Sequence, residues 1–198
     1  MTYICNMEKS TLYSIGHGNK SIETLIEELK HFDINYLIDI RSKPYSKYNP
    51  QFNQNEIKFS LLKSGITYTF MGDVLGGLPD DATCYTNGHV DYDKLKEKDF
   101  FKKGLQRLIT ANEKKVKVAI MCSESKPEEC HRTKLIGEEL IKLGINLNHI
   151  TRTKNRQKEL IIKDQKDVML IVAPNGTVNL FGEELSFGSR KKYKEDAL

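Results

Sequence analysis

The segment 122–132 concentrates reactive side chains, with two thiols (Cys122 and Cys130), the carboxylate of Glu124, the imidazole of His131 and the guanidinium of Arg132. Thiolates act as nucleophiles and metal ligands, whereas carboxylates and imidazoles transfer protons. These residue types predict a functional site in this segment but leave its reaction open.

Three interpretations of this segment compete. Cys122 could be a nucleophile whose pKa is lowered by a helix N-terminus, which a Ser125–Glu128 capping box would begin. Cys122, Cys130 and His131 could instead hold a metal ion, although their spacing matches no usual zinc knuckle. We favour the third interpretation, in which the cysteines are small buried hydrophobic residues, Glu124, His131 and Arg132 bind a ligand, and no cofactor is needed.

The reactive segment lies between an apolar run at 116–121 and a periodic run at 135–143, a pattern that indicates strand, loop and helix. Similar patterns predict strands at 11–16, 36–40, 67–71 and 146–150 and helices after Ser21, at 55–62 and at 100–109. Strands that alternate with helices favour an α/β fold, a mainly parallel sheet with helices on both faces in three layers. Ligands of such sheets bind at the carboxyl ends of the strands.

Two other predicted strands also end in polar loops. His17 follows the first strand between two glycines, and Arg41 and Ser42 follow the second. Arg41 and Arg132 could hold a phosphate group, because a guanidinium binds oxyanions through two parallel hydrogen bonds. The amide side chains that follow Arg41 could read the edges of a nucleobase; they are Asn49, Gln51 and Asn53.

The remainder of the chain differs in character. We predict an α/β domain over 1–151, a basic segment with a C-terminal β-hairpin appendage over 152–186, and a disordered tail over 187–198. The hairpin is predicted from apolar runs at 168–173 and 177–181 on either side of an Asn-Gly turn. The basic stretches 152–158 and 190–192 could follow a nucleic-acid backbone.

Composition restricts the partners only weakly. The net charge of +4 permits a phosphate-bearing partner without requiring one. The sequence has no signal peptide and no apolar stretch of roughly 18 residues, so we expect a cytoplasmic protein that has no membrane partner. The four cysteines are irregularly spaced and are expected to be reduced. Nothing in the sequence indicates the oligomeric state.

Several of these loops resemble a bacterial and archaeal family, domain of unknown function 488. The motifs that match occur in the same order in this chain: Ile15–Gly18, Asp39–Pro44, Asn49–Asn53, Leu75–Gly77, Val90–Tyr92, Met121–Glu124 and Pro127–Arg132. The resemblance covers roughly residues 11–151. It implies an α/β fold and a shared pocket, and it implies no reaction because the family has none assigned.

The first functional hypothesis is an enzyme acting on a nucleotide or a nucleic-acid base, for example in cleavage of an N-glycosidic bond. Its expected catalytic residues are His17, Glu124 and Cys122, and its expected ligand-binding residues are Arg41, Ser42, Asn49, Gln51, Asn53, Cys130, His131 and Arg132. One alternative is a non-catalytic module that binds a phosphate ligand or nucleic acid. A second alternative is a thiol-dependent enzyme with Cys122 as nucleophile and Cys130 as its resolving partner.

Overall fold

A six-stranded sheet forms the centre of the protein. The computed structural model describes residues 9–153, 158–178 and 183–189. The strands in chain order are β1 (Leu12–Gly16), β2 (Tyr36–Asp39), β3 (Thr67–Phe70), β4 (Tyr85–Thr86), β5 (His89–Val90), β6 (Val118–Cys122), β7 (Asn148–Arg152) and β8 (Leu160–Lys163). The order across the main sheet is β3-β2-β6-β1-β7-β8, and only β8 pairs antiparallel to its neighbour.

Helices cover both faces of this sheet, as the sequence predicts. They are α1 (Ile22–His31), α2 (Gln54–Lys63), α3 (Gly72–Leu75), α4 (Tyr92–Lys96), α5 (Asp99–Glu113), α6 (Glu138–Lys142) and α7 (Gln165–Val172). The side chains of β6 alternate between two cores, with Ile120 packed in the core of α5 and α6 and Met121 in the core of α1 and α2. The α/β fold with a mainly parallel sheet is therefore confirmed. No described helix has the length and apolar character needed to cross a bilayer.

The register of the central strands brings their carboxyl ends level. Gly16 at the end of β1 lies opposite Cys122 at the end of β6, and Asp39 at the end of β2 lies opposite Met121. The loops that follow β1, β2 and β6 therefore leave the sheet side by side. Residues far apart in sequence meet at this edge.

The C-terminal part departs from the sequence prediction. The prediction of a strand over 168–173 is wrong, because Gln165–Val172 forms the helix α7. Gln165, Val168 and Met169 are buried at helical spacing, and the exposed Leu170 made the run look like a continuous strand. The second predicted hairpin strand, 177–181, extends beyond the described residues, as do most of the basic stretch 152–158, the stretch 190–192 and most of the tail.

Several elements were not predicted from the sequence. Strand β8 adds an antiparallel edge to the sheet beyond residue 151. The segment 72–92, for which no helix or strand was predicted, contains α3, a 3₁₀ turn at Ala82–Cys84 and the small antiparallel hairpin β4–β5. Its first part folds back toward the ends of β2 and β6, so it takes part in the site.

Candidate functional site

A pocket of about 250 Å³ opens where the loops after β2, β3 and β6 meet. Its lining includes charged, polar and apolar groups: Arg41, Ser42, Lys43, Gly77, Leu78, Tyr92, Cys122, Ser123, Glu124, Glu129, Cys130, His131 and Ser189. The position agrees with the rule that parallel sheets bind ligands at the carboxyl ends of their strands.

The loop after β1 supports the pocket from behind. Its backbone amides at His17 and Gly18 donate hydrogen bonds of 3.0 Å to the carbonyls of Cys122 and Ser123. A Cβ atom on Gly16 would lie 1.9 Å from the carbonyl oxygen of Glu124, so only glycine fits there. Gly16 thus permits close contact between two loops rather than close approach to a ligand.

Arg41 belongs to a fully bonded group of side chains, which we call the arginine cluster (His17, Asp39, Arg41, Phe52 and Tyr68). Nε and Nη2 of Arg41 donate to the two carboxylate oxygens of Asp39 at 2.9 and 2.6 Å, and Nη2 also donates to the carbonyl of Phe52 at 2.7 Å. The hydroxyl of Tyr68 donates to the same carboxylate at 2.9 Å. Arg41 lines the pocket, but most of its hydrogen-bonding capacity is used internally.

His17 lies behind Arg41 and does not line the pocket. Its ring stacks on Phe52 with centroids 4.3 Å apart. Nδ1 lies 2.8 Å from the carbonyl of Gly18, so it donates that bond and leaves Nε2 to accept from Arg41 Nη1 at 3.4 Å. Burial lowers the pKa of His17 to about 4, and the positive charge of Arg41 acts in the same direction.

The second group, which we call the thiol cluster, consists of Cys122, Glu124, Cys130 and His131. Oε2 of Glu124 accepts from Cys122 Sγ at 2.7 Å and lies 3.4 Å from Cys130 Sγ. Nδ1 of His131 lies 3.7 Å from Cys122 Sγ and 3.6 Å from Cys130 Sγ. The two thiols and the imidazole are buried, whereas Glu124 is partly exposed. All four side chains line the pocket.

The two thiols are unequal in acidity. A hydrogen bond with Cys130, together with burial, raises the pKa of Cys122 well above its ordinary value, so the predicted lowering is wrong. Burial acts to raise the pKa of Cys130, but the hydrogen bond from Cys122 and the charges of Arg132 and His131 hold it well below the ordinary value. Burial also opposes the charged form of His131, yet the nearby Cys130 raises its pKa.

The backbone after β6 explains why the predicted capping arrangement fails. Pro127–Glu129 forms a 3₁₀ turn capped at Lys126 without a side-chain bond, and a π-helical turn at Arg132–Gly137 then leads into α6. No Ser125–Glu128 capping box forms, so Cys122 does not face an ordinary helix N-terminus. The wide turn instead places Cys130 and His131 directly beneath Cys122.

Arg132 holds this loop together. Its guanidinium is fully buried and donates to the carbonyls of Glu124 at 2.7 Å and Ser125 at 3.3 Å. Its backbone amide lies 3.5 Å from Cys130 Sγ. Arg132 does not line the pocket, and its observed contacts shape the loop that carries the thiol cluster.

The predicted amide residues also lie away from the pocket. Gln51 donates to the carbonyl of Lys20 at 3.2 Å, and Asn53 accepts from the backbone amide of Ser46 at 2.7 Å. Asn49 joins the same turn through its backbone amide. Ser42 does line the pocket, and its hydroxyl accepts from the backbone amide of Leu78 at 2.9 Å.

Sequence reasoning missed the pocket residues that come from the loop after β3. A Cβ atom on Gly77 would lie 2.8 Å from Cγ and Nδ1 of His131, so glycine lets this loop pack against the imidazole. Leu78 and Tyr92 add apolar surface. The Leu-Gly-Gly and Val-Asp-Tyr motifs at Leu75–Gly77 and Val90–Tyr92 were the available signals, but their place in the pocket was not recognised.

Comparison with known proteins identifies one family. The model described as "Domain of unknown function DUF488" matches residues 21–137, which is more than half of the chain. The matched range contains every residue that lines the pocket except Ser189. It does not include the loop that carries His17. No curated protein and no solved structure matches this chain.

Proposed function

We propose that this chain, which belongs to the DUF488 family, is an enzyme that acts on a nucleotide or a nucleic-acid base, for example by hydrolysing an N-glycosidic bond, in the pocket between the loops after β2, β3 and β6. The observation that carries the proposal is the shared cavity of about 250 Å³, which is lined by the thiol cluster, including Glu124, and by Lys43 of the β2 loop. Proton-transfer groups, positive charge and apolar surface border a single space, as hydrolysis of such a substrate requires.

The pocket has two chemically different sides. Lys43 provides positive charge after the end of β2, which favours an anionic group such as a phosphate, whereas the charge of Arg41 is balanced by Asp39. Leu78 and Tyr92 provide an apolar wall for a flat ring. The cavity has room for one small molecule, so a nucleic-acid substrate would have to present a single extruded base.

Glu124 is the residue to which we assign proton transfer. Its carboxylate is partly exposed and faces both the pocket and the thiols. In the proposed step it takes a proton from a water molecule, and the water oxygen forms a bond to the electrophilic carbon or phosphorus of the substrate. The bond to the leaving nitrogen or oxygen breaks, and that atom departs with the electron pair and receives the proton.

Replacement of this carboxylate tests the proposal. Nucleotides, nucleosides and short single-stranded oligonucleotides would be screened for turnover. For each compound that is turned over, binding of the intact compound would be measured by calorimetry. Glu124→Gln should lower kcat about 10²–10⁴-fold while substrate affinity changes only a few-fold. Glu128→Gln removes the same charge from the same loop outside the pocket and should keep full activity.

Two results would contradict the proposal. One is turnover in Glu124→Gln that equals the wild-type rate. The other is tight binding of a screened compound without any turnover by the wild-type protein, which would favour the non-catalytic binding module.

We also propose that the nucleotide or nucleic-acid substrate is met in the cytoplasm. The thiols of Cys84, Cys122 and Cys130 are all free, which agrees with a reducing compartment. If nucleic acid is the substrate, its affinity should fall steeply with salt because phosphate contacts release counterions. An affinity that is independent of salt would restrict the substrate to free nucleotides or bases.

A further inference from the structure

We propose that Cys122, Cys130 and His131 bind one Zn²⁺ ion, with the fourth coordination position directed toward the pocket. The catalytic use of this ion rests on the proposed hydrolytic function, whereas its binding follows from the ligand set alone. The sequence interpretation ranked a metal last because the spacing matched no usual zinc motif. The three-dimensional arrangement reverses that ranking.

The distances between the donor atoms suit a tetrahedral zinc site. Zinc–sulfur bonds of about 2.3 Å and zinc–nitrogen bonds of about 2.0–2.1 Å place a sulfur and a nitrogen ligand about 3.5–3.6 Å apart. Nδ1 of His131 lies 3.7 and 3.6 Å from the sulfurs of Cys122 and Cys130. The three donor atoms all lie within 4.8 Å of one another. The two nitrogen–sulfur distances therefore match the tetrahedral values within about 0.2 Å.

The ligand chemistry selects zinc. Two thiolates and an imidazole form a borderline-soft donor set, which suits Zn²⁺ and is poorly suited to Mg²⁺ or Ca²⁺. Cys122, Cys130 and His131 are 4%, 2% and 8% exposed. Burial of a thiolate is costly unless a cation compensates its charge, and a divalent ion would compensate both thiolates at once. Cys₂His with one open position is also a known pattern of catalytic zinc sites.

The surroundings of the three ligands support the assignment independently. Nε2 of His131 is buried and has no hydrogen-bond partner among the described residues, while Nδ1 contacts only the two sulfurs. Nδ1 therefore makes no competing bond to oxygen or nitrogen among these residues and is available to the ion, whereas Nε2 keeps its proton and takes no part in metal binding. Two neighbours place the ligands: the backbone amide of Arg132 lies 3.5 Å from Cys130 Sγ, and Gly77 leaves room for the imidazole.

The fourth ligand of the ion would be a water molecule, with Glu124 beside it. Oε2 of Glu124 lies 2.7 Å from Cys122 Sγ and 3.4 Å from Cys130 Sγ, so this carboxylate is next to the ion and faces the pocket. Zinc lowers the pKa of bound water toward 7. Glu124 would take the proton of that water, and the resulting hydroxide would attack the substrate as described above.

Metal binding is tested on the full chain, purified under reducing conditions and depleted of metal with a chelator. Titration with Zn²⁺ should give about one equivalent bound per chain by mass spectrometry of the dialysed protein. Titration with Co²⁺ should give the sulfur-to-metal charge-transfer absorption of thiolate ligands. A wild-type protein that binds no Zn²⁺, or gives no thiolate absorption with Co²⁺, would overturn the proposal.

Single substitutions then locate the site. Cys122→Ser, Cys130→Ser and His131→Ala should each weaken Zn²⁺ binding at least about 10-fold and alter the cobalt spectrum. Cys84→Ser is the matched control, because Cys84 is equally buried but is not part of the ligand set. An equal loss of binding in Cys84→Ser would overturn the assignment, and circular dichroism of each variant separates loss of a ligand from loss of the fold.

Activity separates the two proposals. Stoichiometric Zn²⁺ binding with no turnover of any screened compound would support the metal site and contradict the proposed function. Full turnover by the chelator-treated protein would leave the function standing and remove the catalytic role of the ion.

Discussion

The arginine cluster and the thiol cluster lie at the same edge of the same sheet, yet their polar groups are bonded in opposite ways. In the first, the carboxylate of Asp39 receives three strong hydrogen bonds from Arg41 and Tyr68 side chains. In the second, His131 contacts only sulfur atoms and has one nitrogen without a partner among the described residues. Satisfied polar groups stabilise the fold, whereas Nδ1 of His131 and the two sulfurs make only weak contacts with one another and remain available to a ligand.

This difference changes the assignment of roles. Arg41 and His17 looked like ligand-binding and catalytic residues in the sequence, but their main contacts are internal. Cys130 and His131, which sequence reasoning placed among ligand-binding groups, form the less satisfied centre beside Glu124. Four predictions test whether the two clusters divide stability and ligand binding in this way.

The largest expected effect comes from breaking the ion pair in the arginine cluster. Asp39→Asn would leave the buried guanidinium of Arg41 without its charge partner, so we expect a loss of about 3–5 kcal/mol in the free energy of unfolding. Urea denaturation measures this loss. Asp73→Asn removes an exposed carboxylate nearby and should change stability by less than about 0.5 kcal/mol. Similar losses in the two variants would contradict a structural role for Asp39.

The second prediction concerns a fully bonded histidine elsewhere in the fold, His149. Its nitrogens pair with Ser14 Oγ at 2.6 Å and with Gln165 Oε1 at 2.8 Å, and burial lowers its pKa to about 3. Because the unfolded chain has a histidine pKa near 6.5, it binds the extra proton first. The stabilising contribution is therefore complete above about pH 6.5 and is lost as the pH falls toward 3, by roughly 5 kcal/mol.

Comparison with His149→Gln isolates this contribution. The wild-type protein should be the more stable at neutral pH, and the difference between the two should shrink as the pH falls through the window from 6.5 to 3. Urea denaturation at several pH values measures it. Parallel stability profiles for the two proteins would show that His149 does not remain neutral in the fold.

The third prediction tests the thiol cluster through its neighbour. Gly77→Ala would place a Cβ atom 2.8 Å from the His131 ring, so the imidazole must move and Zn²⁺ affinity should fall about 10–100-fold. Gly76→Ala also crowds this loop, but its Cβ would meet Gly72 and Ser42 instead. Competition with a chromogenic chelator measures the Zn²⁺ affinity of both variants and of the wild-type protein, and the larger loss is expected for Gly77→Ala. Equal Zn²⁺ affinities for Gly77→Ala and the wild-type protein would show that this loop does not position the His131 ligand.

The smallest effect is expected from the amide residues. Asn53→Ala removes the acceptor of the Ser46 amide and should cost about 1 kcal/mol in stability. It should not change substrate affinity, because Asn53 does not line the pocket. Isothermal calorimetry measures that affinity for a nucleotide that the wild-type protein turns over in the screen. A loss of affinity beyond a few-fold would restore the sequence interpretation that these amides read a base.

Sequence patterns predicted most of the central fold. Alternation of β-rich runs with periodic apolar runs placed β1, β2, β3, β6 and β7 within a few residues of their observed bounds. The predicted start of a helix after Ser21 was also correct, and the Ser21 hydroxyl caps this helix by accepting from the amide of Thr24 at 3.2 Å. The run at 168–173 misled because continuous apolar residues fit a buried strand and a helix equally well.

The sequence by itself determined the α/β layers and which loops would carry polar side chains, because hydrophobic periodicity and strand-to-helix order are local properties. Only the tertiary structure decided which of those side chains form hydrogen bonds and ion pairs with one another. Asp39 neutralises Arg41 two residues away and Tyr68 joins it from β3, while the turn after β6 brings Cys130 and His131 against Cys122. Hydrogen-bond satisfaction depends on distances between elements, which spacing along the chain does not specify.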